Sequence, residues 1–370
     1  MKLKLSLLVP VLVIFALSSF AQVFPPANGL SGFQNAQLLS PTTGWIWVGD
    51  RVLWTSTAGS TWQVITPTAS QQQLTSLFFL DENTGWALLT SSSDSNGQQS
   101  ATVAFTNSGG SSWATQSFVV SEPEPQYGIP AGSAAITFAD AQHGWITVRT
   151  ASDSNPDGGA LYATSDGGQN WRQLPNPPCG DPVRFVNAQL GWQAGGASGH
   201  ELYATSNGGG SWQAVSVVIP SGLPIKQTFF ADPVFSDPQN GLLPVRILLQ
   251  DDGSVLLAYR TQDGGQTWDI HYSVGTSALG VGPGAPADSL VVWSYGGDHE
   301  ITFTDGDGTV TAVADSWLAP TVVWSGFVDR THGWVVDATS GCITANNCWQ
   351  RQKLLATGDG GVTVTDITPN

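Results

Sequence analysis

The chain has 370 residues, of which only 11% are charged, while 43 are glycine and 16 are tryptophan. Its formal net charge is −16, because 28 aspartates and glutamates outnumber 12 lysines and arginines. Nucleic acid is therefore excluded as an expected partner, since binding to phosphates depends on lysine and arginine. The composition is typical of a turn-rich and strand-rich protein that still has enough apolar residues for a large core.

Residues 1–21 have the pattern of a secretory signal peptide. Lys2 and Lys4 precede an apolar run at residues 5–16, and small residues lead up to Ala21, after which we expect cleavage. A membrane anchor is the alternative, but the apolar run is shorter than the ~20 residues that a bilayer requires. We therefore expect an exported protein, periplasmic or secreted, with no membrane span after cleavage. Loss of the two lysines changes the net charge from −16 to −18.

Two octapeptides alternate along the rest of the chain. The first, F-x-D-x-x-x-G-W, is called the FW motif here, and its copies begin at Leu38, Phe79, Phe138, Phe185, Phe235 and Phe327. The second, T-x-D-G-G-x-x-W, is called the TW motif, and its close copies lie at 106–113, 164–171, 205–212 and 261–268. Weaker copies of the TW motif end at Trp62, Val310 and Val364. Seven units of roughly 50 residues each indicate a repeat array.

Each unit predicts four short strands. In the third unit these are A-A-I-T-F, W-I-T-V-R, A-L-Y-A-T and W-R-Q-L, separated by turn residues and without helical periodicity. Such small sheets cannot bury both faces alone, so they are expected to pack radially. The predicted fold is all-β, a single seven-bladed β-propeller of four-stranded antiparallel blades at 35–370, after an N-terminal extension at 22–34. How the ring closes is left open.

The copies of the TW motif resemble the Asp-box, or BNR repeat, of bacterial sialidases, some glycoside hydrolases and sortilin-type receptors. Together with the FW motif over seven units, they most resemble the photosystem II stability and assembly factor family. This resemblance implies a seven-bladed propeller without catalytic activity that acts as an assembly or binding factor. Many bacterial members of that family are exported and have no known connection to photosynthesis, so the resemblance does not decide whether one exists. The motif is informative about the fold and weakly informative about function.

Within the TW motif, the third side chain is expected to accept hydrogen bonds from turn amides, and the last to be buried against its own unit. These structural positions are Asp166, Asn207, Asp263, Asp305, Asp359, Trp113, Trp171, Trp212 and Trp268. The sequence D-G-D-G that starts at Asp305 is not expected to bind calcium, because no further carboxylates follow at a suitable spacing. We predict no metal site and no cofactor.

The three cysteines fit an oxidising compartment. Cys342 and Cys348 are close enough in sequence to form a disulfide across one loop, and two free thiols are the alternative. Cys179 then remains as a part-buried loop thiol, since no base stands near it in sequence.

Insertions distinguish the two faces of the expected ring. The FW and TW turns keep their lengths and lie on one face, the motif face. Insertions open on the other face, the insertion face, at 91–100, 121–132, 150–158, 220–226, 273–286 and 337–353. Variable loops on a rigid scaffold are where binding usually resides, and tolerated insertions without function are the alternative.

Three side chains are candidates for binding on the insertion face. Arg149 and Arg246 each follow the Gly-Trp position of their FW motif by four residues, and together they could hold a carboxylate such as a peptide terminus. Ion pairs with loop acids such as Asp153 or Asp251 are the alternative. Trp349 is the loop tryptophan that a glycan-binding surface would use.

The predicted function is that of a non-enzymatic, exported, monomeric propeller that binds a protein or peptide or acts as a scaffold in an assembly. The alternative is a glycan-directed protein, either lectin-like or similar to sialidases and glycoside hydrolases. A sialidase requires three arginines around a carboxylate and a tyrosine nucleophile paired with a glutamate. The F/Y-R-I-P sequence that is characteristic of the start of sialidases is absent, since residues 22–50 contain no arginine. We predict no catalytic residues.

Overall fold

The computed structural model describes the chain from residue 29 to residue 369, with gaps at 70, 92–98, 121–133, 151–156, 197–200, 236, 252, 277–278, 283–289, 295–299, 305–309, 315–320 and 345–346. The predicted signal peptide and most of the predicted N-terminal extension lie outside the described residues. In the described part, every regular element is a β-strand. No helix that is long and apolar enough to cross a membrane occurs in that part of the chain.

The strands of the first three sheets follow one another along the chain. Sheet 1 contains Phe33–Leu38 (β1), Gly44–Val48 (β2), Arg51–Thr55 (β3) and Gln63–Val64 (β4). Sheet 2 contains Gln73–Phe79 (β5), Gly85–Thr90 (β6), Gln99–Thr106 (β7) and Ala114–Val120 (β8). Sheet 3 contains Ala134–Phe138 (β9), Gly144–Arg149 (β10), Gly159–Thr164 (β11) and Arg172–Gln173 (β12).

The remaining sheets continue in the same order. Sheet 4 contains Arg184–Phe185 (β13), Gly191–Gly195 (β14), Glu201–Thr205 (β15) and Gln213–Ala214 (β16). Sheet 5 contains Ile225–Phe230 (β17), Val234–Phe235 (β18), Gly241–Leu249 (β19), Ser254–Thr261 (β20) and Asp269–Thr276 (β21). Sheet 6 contains Leu279–Gly282 (β22), Leu290–Ser294 (β23), Glu300–Thr304 (β24) and Val310–Ala314 (β25). Sheet 7 contains Thr321–Phe327 (β26), Gly333–Thr344 (β27), Asn347–Thr357 (β28) and Thr365–Asp366 (β29).

The prediction of seven four-stranded blades is wrong. The all-β propeller has six four-stranded antiparallel blades, whereas sheet 5 has five strands because β17 and β18 both pair with β19. The sequence A-D-P separates β17 from β18, and Pro233 has no backbone N–H with which to continue the ladder. The first strand of this sheet is therefore divided in two.

The segment at 337–353 also differs from the loop that was predicted. It is a long hairpin in which β27 pairs with β28 from Gly333↔Thr357 to Thr344↔Asn347. Trp349 lies in β28 opposite Gly341, and Cys342 lies opposite Cys348 in the backbone register. The side chains of residues 340–350 lie outside those described.

First strands face the centre of the ring. β9 contacts β5 and β13, and β26 contacts β1 and β22. The strand β5 alternates between buried and half-buried residues, while every residue of β6 is buried because neighbouring sheets cover both of its faces. The core is therefore built between the sheets as well as within them.

Adjacent sheets are joined by aromatic residues of the two motifs. Trp86 of sheet 2 is fully buried and stacks on Phe138 of sheet 3, with ring centroids 3.6 Å apart and planes 8° apart. Its Nε1 donates to the carbonyl oxygen of Gly167, in the TW motif of sheet 3, at 2.8 Å. Trp171 packs edge-on against the same Phe138 ring, with centroids 6.0 Å apart. One phenylalanine thus contacts tryptophans from two consecutive sheets.

The ring closes by a related packing of sheet 7 on sheet 1. Trp334 lies 5.8 Å from Trp62, measured between ring centroids, and belongs to one buried cluster with Leu38. The N-terminal segment adds a backbone contact, since the amide of Leu30 donates to the carbonyl oxygen of Gln352 at 2.8 Å. Closure therefore combines an aromatic contact with an isolated antiparallel bridge.

Candidate functional site

The turn of the TW motif is held together by its own polar side chains. In sheet 3, the Thr164 hydroxyl donates to Asp166 Oδ1 at 2.8 Å and accepts from the Gly168 amide at 3.0 Å. Asp166 Oδ1 also accepts from the Asn170 amide at 2.9 Å. Gly168 has a φ of 92°, which side-chain-bearing residues rarely adopt. The turn therefore depends on threonine, on a short acceptor and on glycine.

The other described copies use the same contacts. Asn207, Asp263 and Asp359 each accept through Oδ1 from the threonine two residues earlier and from the amide four residues later. A hydrogen bond from Thr267, followed by weaker ones, lowers the pKa of Asp263 to about 2. The pKa values of Asp166 and Asp359 are lowered too, first by hydrogen bonds from Asn170 and Thr363. The position of Asp305 lies outside the described residues.

The tryptophans of the TW motif have one packing role in four sheets. Each ring meets the phenylalanine of the FW motif of its own sheet edge-on, with centroids 6.0–6.2 Å apart. The four pairs are Trp113 with Phe79, Trp171 with Phe138, Trp212 with Phe185 and Trp268 with Phe235. Trp268 is buried and the other three rings are half-buried, so each holds the TW turn against its own sheet.

Among the described residues, three grooves open on the motif face, each beside a TW turn. The largest, 590 Å³, lies between sheets 2 and 3. A groove of 460 Å³ lies between sheets 7 and 1, and one of 330 Å³ lies between sheets 3 and 4. The sequence led us to expect binding on the opposite face, so these grooves are additional surfaces that the sequence did not indicate.

The insertion face carries a polar cluster between sheets 3 and 4. Arg149, at the end of β10, donates from Nη1 to Asp181 Oδ1 at 3.2 Å. The side chain of Arg149 is 41% exposed and that of Asp181 is 24% exposed. Asp181 lies in the connection between sheets 3 and 4, so it differs from the loop acids that were predicted as alternatives. Asp153 lies outside the described residues, and Asp251 accepts from the Gly253 amide at 3.1 Å.

Gln193, a fully buried residue of β14, fixes the segment that carries Asp181. Gln193 Nε2 donates to the carbonyl oxygens of Cys179 at 2.9 Å and Asp181 at 2.7 Å. Asp181 Oδ2 accepts from the Gly196 amide at 3.1 Å. The carboxylate is thus held in place from both sides, while the arginine that it contacts remains accessible.

Cys179 is a structural part of this segment. It is 1% exposed, and burial raises the pKa of its thiol to about 11. A thiol with such a pKa is poorly nucleophilic at neutral pH. Cys179 thus lies in a loop, as the sequence predicts, but it is fully buried rather than part-buried.

Next to this cluster lies an acid that the sequence did not single out. Asp232 sits in the A-D-P interruption of sheet 5, and burial raises the pKa of its carboxyl despite the positive charge of Arg184 nearby. Asp181 is close enough to raise the pKa of Asp232 slightly. Arg184 itself is exposed at the start of β13. Arg184 pairs with Trp192 next to the FW turn, so Arg184 and Asp232 lie along the first strands of sheets 4 and 5 rather than on the insertion face with Arg149 and Asp181.

The other binding candidates are placed differently. Arg246 lies within β19, where its guanidinium carbon is 4.5 Å from the centre of the Phe229 ring, a cation–π contact. Trp349 has no described side chain, and neither have Cys342 and Cys348. The described residues thus join Arg149 to Asp181 and leave the proposed pairing of Arg149 with Arg246 as a prediction.

Sequence reasoning missed Asp181, Arg184, Gln193 and Asp232. These residues come together across two sheet boundaries, and no spacing rule within one unit connects them. The scarcity of arginine was the available signal, because each of the eight arginines in an acidic chain is unusual. Within the described residues, no group of three or more His, Cys, Asp or Glu residues is arranged to hold a metal ion.

No family model matches the chain, and no curated protein matches it. Similar solved structures include YCF48 bound to D1 peptide, with a TM-score of 0.50 and 14% identity over 83% of this chain and 89% of that one. YCF48 from Cyanidioschyzon merolae has a TM-score of 0.49 and 17% identity, over 82% and 88% of the two chains. The protein lmo1340 from Listeria monocytogenes EGD-e has a TM-score of 0.48 and 11% identity, over 76% and 83%. At these identities the likeness concerns the fold alone, and this chain is similar in fold to the YCF48 propeller.

Proposed function

We propose that this protein is a non-enzymatic, exported propeller that binds a protein or peptide segment through its insertion face. The observation that carries the proposal is the accessible Arg149 held beside Asp181 on a segment that Gln193 fixes in place. A preorganised arginine loses little entropy on binding, and a bidentate guanidinium–carboxylate contact is both strong and directional.

The ligand that suits this cluster carries a carboxylate. Arg149 would take the carboxylate of the ligand through its exposed guanidinium group. Asp181 limits binding to ligands that can share Arg149, because it already occupies one guanidinium nitrogen. The YCF48 structure with a D1 peptide supports this proposal by analogy, since it is a propeller of similar fold with a peptide bound.

The experiment uses a defined probe in two forms. A pool of random dodecapeptides with free C-terminal carboxylates and the same pool with C-terminal amides are applied to the immobilised protein. We expect retention of the free-acid pool over the amidated pool. Enriched peptides are then measured by fluorescence anisotropy against Arg149→Gln, for which we expect at least tenfold weaker binding, since a charged hydrogen bond is worth about 1.5–3 kcal/mol.

Arg172→Gln is the matched control. Arg172 is an exposed arginine of β12 that lines the groove between sheets 3 and 4 on the motif face, so its loss changes the net charge equally. Equal weakening by the two variants would indicate general electrostatics and would contradict the site. Retention of both pools alike would contradict recognition of the carboxylate.

A glycan-directed protein is the second candidate. The observation in its favour is Asp232, whose pKa is raised by burial while Asp181 lies nearby, because glycosidases use pairs of carboxyl groups with different pKa values. Hydrolysis of a polysaccharide panel that is abolished by Asp232→Asn would favour this function. Retention of glycans without hydrolysis, unchanged in Asp232→Asn, would favour a lectin-like role.

A further inference from the structure

The outer edge of sheet 2 differs from that of most other sheets. Its fourth strand, β8, has seven residues and pairs with β7 along its whole length, from Gln99↔Val120 to Phe105↔Ala114. In sheets 1, 3, 4 and 7 the fourth strand has two residues. In the described part of the chain, neither a strand nor a backbone hydrogen bond occupies the other edge of β8. Among the described residues, an edge about 24 Å long is therefore unpaired.

This edge lacks the features that normally prevent pairing. Its sequence, A-T-Q-S-F-V-V, contains no charged residue, no proline and no glycine. Natural edge strands are commonly protected by charges, prolines, bulges or short length. The long fourth strand of sheet 5, β21, carries Asp269 and His271 in this way. By contrast, the first four side chains of β8 are exposed and neutral.

A groove runs beside this edge. It is the 590 Å³ groove between sheets 2 and 3, lined by Val103, Phe105, Ala114 and Gln116 and by the TW turn at 165–169. Asp166 is the charged group in this lining, and Thr164 and Asn170 already donate to its carboxylate. Side chains that enter the groove from an added strand are therefore expected to be uncharged.

We propose that β8 pairs antiparallel with β8 of a second copy of this chain, about a two-fold axis. The unpaired backbone donors and acceptors of β8 can bind another extended strand. A second copy of β8 suits this position, because its uncharged side chains are the kind that the neighbouring groove can accept. Antiparallel pairing of identical strands is reciprocal and closes as a dimer. The neutrality of β8 matters because two chains of net charge −16 repel each other elsewhere on their surfaces. The monomer expected from the sequence is then the dilute form of a concentration-dependent dimer.

The test is sedimentation velocity of the whole mature chain over a concentration series, with two variants of equal charge. Gln116→Lys places a lysine in the centre of β8, and Gln213→Lys places one on the exposed strand β16 of sheet 4. Each variant makes the chain less negative, so general electrostatics would strengthen association in both. We expect dimer in the wild type and in Gln213→Lys, and at least a tenfold larger dissociation constant for Gln116→Lys. Hydrogen exchange of residues 114–120 should slow as the wild-type concentration rises.

Several outcomes would overturn the proposal. A wild type that stays monomeric throughout the series would exclude the second copy as the occupant of this edge. A dimer that Gln116→Lys leaves unchanged, or one without protection of residues 114–120, would assign the interface to another surface. Thermal melts check that the variants fold, and Thr115→Lys, at another exposed position of β8, replaces Gln116→Lys if that variant melts early.

Discussion

The joint between sheets 2 and 3 offers a direct test of how the blades are held together. Trp86 and Trp192 occupy the same position of the FW motif, and both are fully buried. Trp86 donates to the Gly167 carbonyl at 2.8 Å, whereas Trp192 Nε1 has no hydrogen-bond partner among the described residues. The change from tryptophan to phenylalanine at each position removes the same atoms, so the two variants differ mainly in the hydrogen bond.

The magnitude follows from this difference. A net protein hydrogen bond contributes about 0.5–1.5 kcal/mol, and an acceptor left without its partner in a buried place costs about 1–3 kcal/mol. Trp86→Phe should therefore lower the free energy of unfolding by about 1–3 kcal/mol more than Trp192→Phe. The loss of ring volume is common to both variants and cancels in the comparison. Closer stacking of Trp86, at 3.6 Å from Phe138 against 4.3 Å for Trp192 from Phe235, acts in the same direction.

The assay is urea denaturation followed by circular dichroism, with Trp145→Phe as a third variant. Trp145 donates to the Gly208 carbonyl at 3.0 Å and stacks on Phe185 at 3.6 Å, so it should behave like Trp86. Equal losses at Trp86 and Trp192 would refute the role given to the hydrogen bond. A smaller loss at Trp86 than at Trp192 would refute the whole account of the joint.

Three further predictions concern the turns and the buried thiol. Thr164→Val should lower the free energy of unfolding by about 1–3 kcal/mol in urea titrations, because the buried Gly168 amide loses its acceptor, while the exposed neighbour Ser165→Ala should have almost no effect. The pKa of Asp263 is about 2 against an ordinary 3.8, so its stabilisation is present above the ordinary value and lost as the pH falls towards 2. The urea midpoint should decline across that interval. The midpoint of Asp263→Asn should decline less, because an asparagine does not titrate and Asn207 already fills the equivalent position in the TW turn of sheet 4. An equal decline in both proteins would contradict the assignment. With its pKa at about 11, Cys179 should resist alkylation at pH 8 in the folded protein and react after unfolding or in Gln193→Ala, as read by peptide mass spectrometry; rapid labelling of the folded wild type would contradict its burial.

Much of the fold could be predicted because its information is local. The TW turn closes through contacts that span four residues, such as Thr164 to Gly168, so the sequence pattern itself describes the structure. The same is true of the FW turn, where Asp140 Oδ1 accepts from the amides of Gln142 and His143 at 2.7 and 2.8 Å. Repetition of such turns indicates antiparallel sheets that must pack on one another.

The number of four-stranded blades and the strands of sheets 5 and 7 could not be predicted equally well. In sheet 5, Pro233 interrupts the first strand. The FW motif of this sheet begins at Phe235, after the interruption, so the motif gives no sign of it. The insertion at 337–353 predicts a loop between the second and third strands, whereas β27 and β28, of 12 and 11 residues, continue through it beyond the usual length of a strand. Neither feature changes the motif that marks its unit, so a motif-based prediction does not detect them.

The position of Arg149 in the fold could be predicted, whereas its contacts could not. Arg149 could be assigned to the insertion face from its position after the FW motif, since strand direction fixes the end at which it lies. Its partner Asp181 is 32 residues away, in the connection to the next sheet. The buried Gln193 that fixes this connection looks like an ordinary strand residue in the sequence. Contacts across a sheet boundary depend on the packing of two sheets, and single-sequence patterns do not report it.

The packing also explains why the motif face keeps its length while the insertion face varies. A residue such as Trp86 serves two sheets at once, because it stacks on Phe138 and donates to Gly167 while it belongs to sheet 2. An insertion in either turn would displace one of these partners and open the joint between the sheets. On the insertion face, the residues at the joint between sheets 3 and 4 include Arg149 and Asp181, which are partly exposed and do not belong to the buried core. Changes on that face therefore cost little stability, which is the physical basis of the proposal that ligands bind there.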